Sequence, residues 1–180
     1  IAAHTLTQER LDFTVDELLE DGDVVATDAG FWKVLHTPGH AQGHICLRNA
    51  GLGSIIAGDM VAGVGTILID PPEGNLAQYL GSLSRLRDLH PRLLMPAHGP
   101  VIENAVEYLT EYIDHRHMRT QQIVAHLHAI PGSSADDLAQ AIYAELVPVS
   151  FLPVAARQIL AHLEWLEGDG QVKTNGNGYH

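Results

Sequence analysis

Three short apolar runs each stop at a glycine or proline and hand a polar, metal-competent side chain to the loop beyond, and this repeated arrangement restricts the fold more than any other feature. Phe31-Trp32-Lys33-Val34-Leu35 leads into His36-Thr37-Pro38-Gly39-His40, Ser54-Ile55-Ile56-Ala57 ends in Gly58-Asp59, and Arg92-Leu93-Leu94-Met95 ends in Pro96-Ala97-His98-Gly99. Short apolar runs bounded by such breakers read as strands. Loops leaving the same end of one sheet converge, so His40, Asp59 and His98 are expected at one sheet edge. Imidazole and carboxylate donors of this kind suit zinc, which accepts both and leaves positions open to water in catalytic sites.

The intervening sequence fills in an α/β order. Val24 to Thr27 predicts a strand, and His44 to Leu47 with Ser54 to Ala57 predicts a hairpin closed by Asn49-Ala50-Gly51-Leu52-Gly53. Thr14 with Glu17 predicts a capping box and a brief helical turn through Leu18 and Leu19. Asn75 with Gln78 marks a helix start, and Leu76, Tyr79, Leu80, Leu83 and Leu86 follow with helical spacing. A long helix carries Ile102, Val106, Leu109, Ile113, Ile123, Val124 and Leu127 until Pro131-Gly132 stops it. Ser133 and Ser134 then cap a helix with Leu138, Ile142 and Leu146, and Pro153 opens another with Ile159, Leu160, Leu163 and Leu166. Gln171 to Lys173 predicts a short strand and Asn175 to Gly178 a flexible tail. The expected division is therefore residues 1–128, including a connecting helix over about 101–128, and a winged-helix-like module over 129–180.

Charge and cysteine content narrow the function. With 22 acidic against 10 basic residues the formal charge is −12, which argues against a broad basic footprint for nucleic acid. No charge-free stretch approaches the length of a bilayer crossing, so a soluble protein without membrane contact is expected. The single cysteine, Cys46, lies in an apolar, strand-like run and fits a buried thiol in a reducing, cytoplasmic compartment. The twelve histidines are scattered, and several fall on predicted helices where ordinary contacts satisfy them.

His36-Thr37-Pro38-Gly39-His40, the apolar strand ending in Gly58-Asp59, and Pro96-Ala97-His98-Gly99-Pro100 resemble, in order, the third, fourth and fifth motifs of the metallo-β-lactamase-fold hydrolases. The stretch GDMVAGVGTILIDPPEGN and the helical C-terminal module resemble the branch labelled β-lactamase-like protein 2 or hydroxyacylglutathione-hydrolase-like. The resemblance implies that His40 completes one zinc site, Asp59 bridges two zinc ions and also carries the catalytic role, and His98 completes the other site. It implies two zinc ions per complete domain, with manganese or iron as alternatives. His44 is given a supporting or structural place.

One motif of that family is absent: the HxHxDH run that supplies the remaining ligands and the water-orienting aspartate. His115-Arg116-His117 has the H-x-H spacing but lies mid-helix, where residues two apart face different directions, and His126 and His128 fail for the same reason. In the family that motif lies N-terminal to everything present here, and the chain opens on Ile1 without a methionine. The expected architecture is therefore the second half of an αββα sandwich followed by a winged-helix-like domain, with the N-terminal half of the same fold as its missing partner and an uncovered sheet face where that half belongs.

The activity this implies is zinc-dependent hydrolysis by a metal-bound hydroxide, on a small-molecule thioester such as an acyl-glutathione or on a phosphodiester in RNA. The chain alone carries an incomplete site. A different class of reading makes residues 129–173 a nucleic-acid-binding or homodimerising module on a non-catalytic scaffold. A helix from Val154 to Glu167 with Arg157 beside Glu164 and Glu167 is a poor surface for phosphate, so packing or dimerisation is the better expectation for it. A third reading is a metal-free structural or regulatory relative.

Overall fold

The computed structural model describes residues 1–176 and 178–180. A five-stranded sheet holds β3 (Val24–Thr27), β4 (Gly30–His36), β5 (Ile45–Asn49), β6 (Ser54–Gly58) and β7 (Leu93–Pro96) in that order. The first four are antiparallel neighbours, and β7 joins β6 in parallel after a crossover through α2 (Leu76–Asp88). The register aligns Leu35 with Cys46 on one face and Val34 with Leu47 and Ile56 on the other.

Leu35, Cys46, Ile55 and Leu94 are buried against Tyr79, Leu83 and Leu86 of α2 and Leu109 and Ile113 of α3 (Ala105–Ala129). On the opposite face Trp32 and Val34 are buried while Ile56 is 39% exposed. The face is thus covered at its β4 end and bare near β6. Twenty-five residues make α3 about 37 Å long at 1.5 Å per residue. Its first half packs on the sheet core. Its second half puts Ile123 and Leu127 into a separate core with Leu138 of α4 (Ala135–Tyr143) and Ile159, Leu163 and Leu166 of α5 (Leu152–Gly168).

Most elements lie where periodicity puts them, and the caps of α2 and α4 act as predicted. The Asn75 side chain accepts from the Gln78 N–H, and Ser134 forms a capping box with Asp137. Two residues fall outside the helices assigned to them: Ile102 pairs with Leu94 ahead of α3, and Leu146 lies beyond the end of α4. Three further expectations are corrected. Glu17–Leu19 is not a helical turn but a strand, β2, paired in parallel with β1 (Ala2–His4), because a neighbouring strand supplies its hydrogen bonds and overrides the local capping signal. Between them lies an unpredicted four-residue helix, α1 (Thr5–Gln8), capped by the His4 side chain. The last strand begins at Thr174 rather than Gln171: β8 (Thr174–Asn175) pairs with β9 (Gly178–Tyr179). The predicted tail is therefore a hairpin at its described residues, held by Gly178 packed on Gly132 and by the Tyr179 N–H donating to the Ser133 carbonyl. Asn177, within that predicted tail, lies outside the described residues.

Candidate metal centre

His40, Asp59 and His98 follow β4, β6 and β7 at the same end of the sheet, and the structure brings all three together around one carboxylate. His40 Nε2 stands 3.9 Å from Asp59 Oδ2, and His98 Nε2 stands 3.4 Å from Asp59 Oδ1. Each oxygen faces one imidazole. These three do not make a closed metal cluster, since no group of three or more His, Cys, Asp or Glu among the described residues has metal-holding geometry.

The His40 loop is fixed from α2. The Pro38 carbonyl accepts from the Ser82 hydroxyl at 2.8 Å, and the Gly39 carbonyl accepts from the Asn75 N–H at 2.7 Å. Gly39 has φ +136°, and a Cβ there would sit 2.3 Å from the Tyr79 backbone, so glycine alone lets the turn lie on the helix. His40 Nδ1 contacts the Leu68 carbonyl at 2.9 Å. A carbonyl can only accept, so Nδ1 carries the proton and Nε2, facing Asp59, keeps its lone pair.

Asp59 is turned by an irregularity in its strand. The β6–β7 register shifts between Ile56 and Gly58, and Gly58 takes φ +54°. The Asp59 N–H then donates to His44 Nε2 at 3.1 Å, and His44 Nδ1 contacts the Thr37 hydroxyl at 2.8 Å. Burial, with the nearby His40 ring, pushes His44 down to about 4, so it is neutral near pH 7. It supports the Asp59 backbone rather than facing the opening between the three donors. Beneath it Cys46 is fully buried, as expected, and burial pushes its thiol up to about 12. His98 is the most open donor, with a side chain 74% exposed, on a loop pinned by the Gly63 N–H to the His98 carbonyl at 2.8 Å.

The rejected histidines behave as their helix position requires: His117 packs near Trp165 with ring centroids 5.9 Å apart, away from the three donors. Arg157, the single Lys or Arg of α5, is tied to Asp70 at 2.6 Å and is not free for phosphate. No helix among the described residues is long and apolar enough to cross a membrane.

Residues 6–98 match the family described as the Metallo-beta-lactamase superfamily. The chain belongs to that superfamily. Residues 134–178 match the Beta-lactamase associated winged helix domain, so α4, α5 and the terminal hairpin form the winged-helix part of this superfamily chain. Beta-lactamase-like protein 2 homolog of Drosophila melanogaster is 32% identical over 151 residues, 83% of this chain and 50% of that protein. A protein of Aspergillus fumigatus named atrochrysone carboxyl ACP thioesterase is 30% identical over 138 residues, 75% of this chain and 42% of that protein. Among solved structures, a metallo-beta-lactamase family protein from Thermus thermophilus superposes with a TM-score of 0.79 at 26% identity, over 92% of this chain and 54% of that one. The chain thus spans about half the length of the curated relatives it matches.

Proposed function

We propose that this chain contributes three metal ligands, His40, Asp59 and His98, to a zinc-dependent hydrolase acting on a thioester. The observation that carries the reading is the pair of imidazoles directed at the two oxygens of Asp59, with the His40 tautomer set by Leu68. A histidine whose second nitrogen is bonded to a carbonyl is the arrangement metal-ligating histidines use. Three side chains fall short of what two zinc ions need, since each takes about four ligands, so the other protein donors come from chain outside these residues. The family's N-terminal half, seated on the bare part of the sheet around Ile56, is the proposed source.

A zinc ion held there supplies Lewis-acid activation of water and of the scissile carbonyl. The protein's own contribution is positional. Leu68 holds His40 in one tautomer, and His44 holds the Asp59 backbone, so the donors are arranged before metal arrives. The thioester class is supported by the thioesterase-named relative and by the acidic composition, which disfavours an RNA backbone. The reading places the protein in the cytoplasm, consistent with a thiol kept buried and unpaired.

The test is hydrolysis of an acyl-glutathione and of a single-stranded RNA by protein that carries both halves, with and without chelator. Thioester turnover abolished by chelator and restored by zinc is expected. Turnover unchanged by chelator sinks the metal reading, and turnover of RNA alone sinks the substrate class.

A further inference from the structure

A cavity of about 770 Å³ lies between the Gly65–Leu68 loop, α3 and the winged-helix part; Leu68, whose carbonyl holds His40, is in its wall, while His40, Asp59 and His98 themselves do not line it. Its volume is within the roughly 300–1,000 Å³ typical of small-molecule sites. Tyr108, Tyr112, Tyr143 and Phe151 give it an aromatic, mostly apolar wall. Phe151 and Val154, on the same wall, are 56% and 43% exposed, so the mouth is apolar as well.

Two arginines line this wall, and both are buried: Arg116 is 2% exposed and Arg119 is 7% exposed. They are three apart on α3 and share a face. Their internal partners are neutral. Arg116 donates to the Thr66 hydroxyl and the Ile67 carbonyl and stacks over Tyr79, while Arg119 donates to Gln122 and stacks over Tyr143 at 4.3 Å. No carboxylate among the described residues pairs with either guanidinium, Glu111 of the same wall included. Arg116 Nε and Arg119 Nε are buried with no hydrogen-bond partner, as is Gln158 Nε2 on the same wall. Two like charges taken out of water without a counterion are costly, and the described residues provide none.

We infer that the cavity binds a small molecule carrying a carboxylate on an aromatic or aliphatic body, the carboxylate neutralising Arg116 and Arg119 and the body filling the apolar wall. A carboxylate matches the planar donor fork of arginine better than a neutral head group does. The inference does not rest on the metal chemistry: the cavity shares with the metal centre only Leu68, whose carbonyl meets His40, and none of His40, Asp59 and His98 lines it.

The 180-residue chain is titrated calorimetrically with 1-naphthoate and with its neutral counterpart 1-naphthamide. Naphthoate is expected to bind with 1:1 stoichiometry and about tenfold or more tighter than the amide, the difference of one charge-assisted hydrogen bond. Arg119→Met, which keeps the aliphatic stem, is expected to abolish that preference while retaining the fold by circular dichroism. Val147→Trp, which fills the cavity from its wall, is expected to abolish binding of both. Equal affinity for acid and amide, no naphthoate binding at millimolar concentration, or a preference that survives Arg119→Met in folded protein overturns the assignment. If Arg119→Met does not fold, the acid-to-amide ratio in the unsubstituted chain, with loss of binding in Val147→Trp, decides the matter alone.

Discussion

The backbone N–H of Asp59 donates to His44 Nε2 at 3.1 Å, so a half-buried neutral imidazole holds the carboxylate that the two outer histidines face. Because Nε2 accepts, the ring proton is on Nδ1 and is donated to the Thr37 hydroxyl. One tautomer satisfies both neighbours. Gly58 completes the fit, since a Cβ there would lie 2.6 Å from His44 Nε2.

Truncating that support is expected to loosen the centre without removing a ligand. His44→Ala leaves the Asp59 N–H without a partner and takes one of its partners from the Thr37 hydroxyl, which keeps the Cys46 thiol, and is expected to cost about 1–3 kcal/mol of stability. Zinc affinity is expected to fall about 10- to 100-fold, the usual effect of removing a group that orients a ligand. Urea unfolding and a competitive zinc titration measure the two effects, and unchanged zinc affinity in folded protein removes His44 from the centre.

His98→Ala is expected to separate metal binding from folding in the opposite way. The side chain is 74% exposed, so its loss leaves no cavity and stability is expected to stay within about 0.5 kcal/mol. Zinc content by elemental analysis is expected to drop. Unchanged content excludes His98 as a ligand.

The turn that presents His40 depends on a close approach rather than on chemistry. Gly39→Ala would put a methyl group 2.3 Å from the Tyr79 backbone at φ +136°, and neither side can yield cheaply. A loss of about 3 kcal/mol or more is expected in thermal or urea unfolding. Gly81→Ala is the control: it lies within α2 with nothing within 4 Å of an added Cβ, and a gain of up to about 1 kcal/mol is expected.

How far these features can be read from sequence follows from their range. The sheet strands, α2 and α3 are set by local periodicity and breakers, and His40, Asp59 and His98 announce themselves because each follows a strand directly. β1 and β2 escape because their pairing is with each other across the chain, while the local signal at Thr14 and Glu17 favours a helix. The terminal hairpin escapes because its Asn-Gly composition is equally that of an unstructured end. The burial of Arg116 and Arg119 escapes for another reason. Arg116 continues the buried spacing of Leu109 and Ile113 and is followed by Thr120 and Ile123 on the same stripe, so a charge inside an apolar stripe is the available signal, and the H-x-H spacing of its two neighbours competes with it.

His162 gives the winged-helix part a calculable response to pH. Thr120 donates its hydroxyl proton to the Arg116 carbonyl, leaving its oxygen to accept from His162 Nδ1 at 2.8 Å, while Nε2 is buried with no partner. Burial, reinforced by Arg116 and Arg119, pushes the imidazole down to about 3 from its ordinary 6.5. Between those two values the unfolded chain binds a proton that the folded chain refuses. The stability this group contributes is therefore present above pH 6.5 and is lost as the pH falls toward 3, with a slope approaching about 1.4 kcal/mol per pH unit. His44 titrates in the same direction, but it is common to both proteins in a comparison with His162→Gln and cancels. The variant is expected to lose stability less steeply than the unsubstituted chain between about pH 6 and 4.5, by about one proton's slope. Urea midpoints collected across that range measure the difference, and parallel curves would mean that His162 is already protonated in the folded protein.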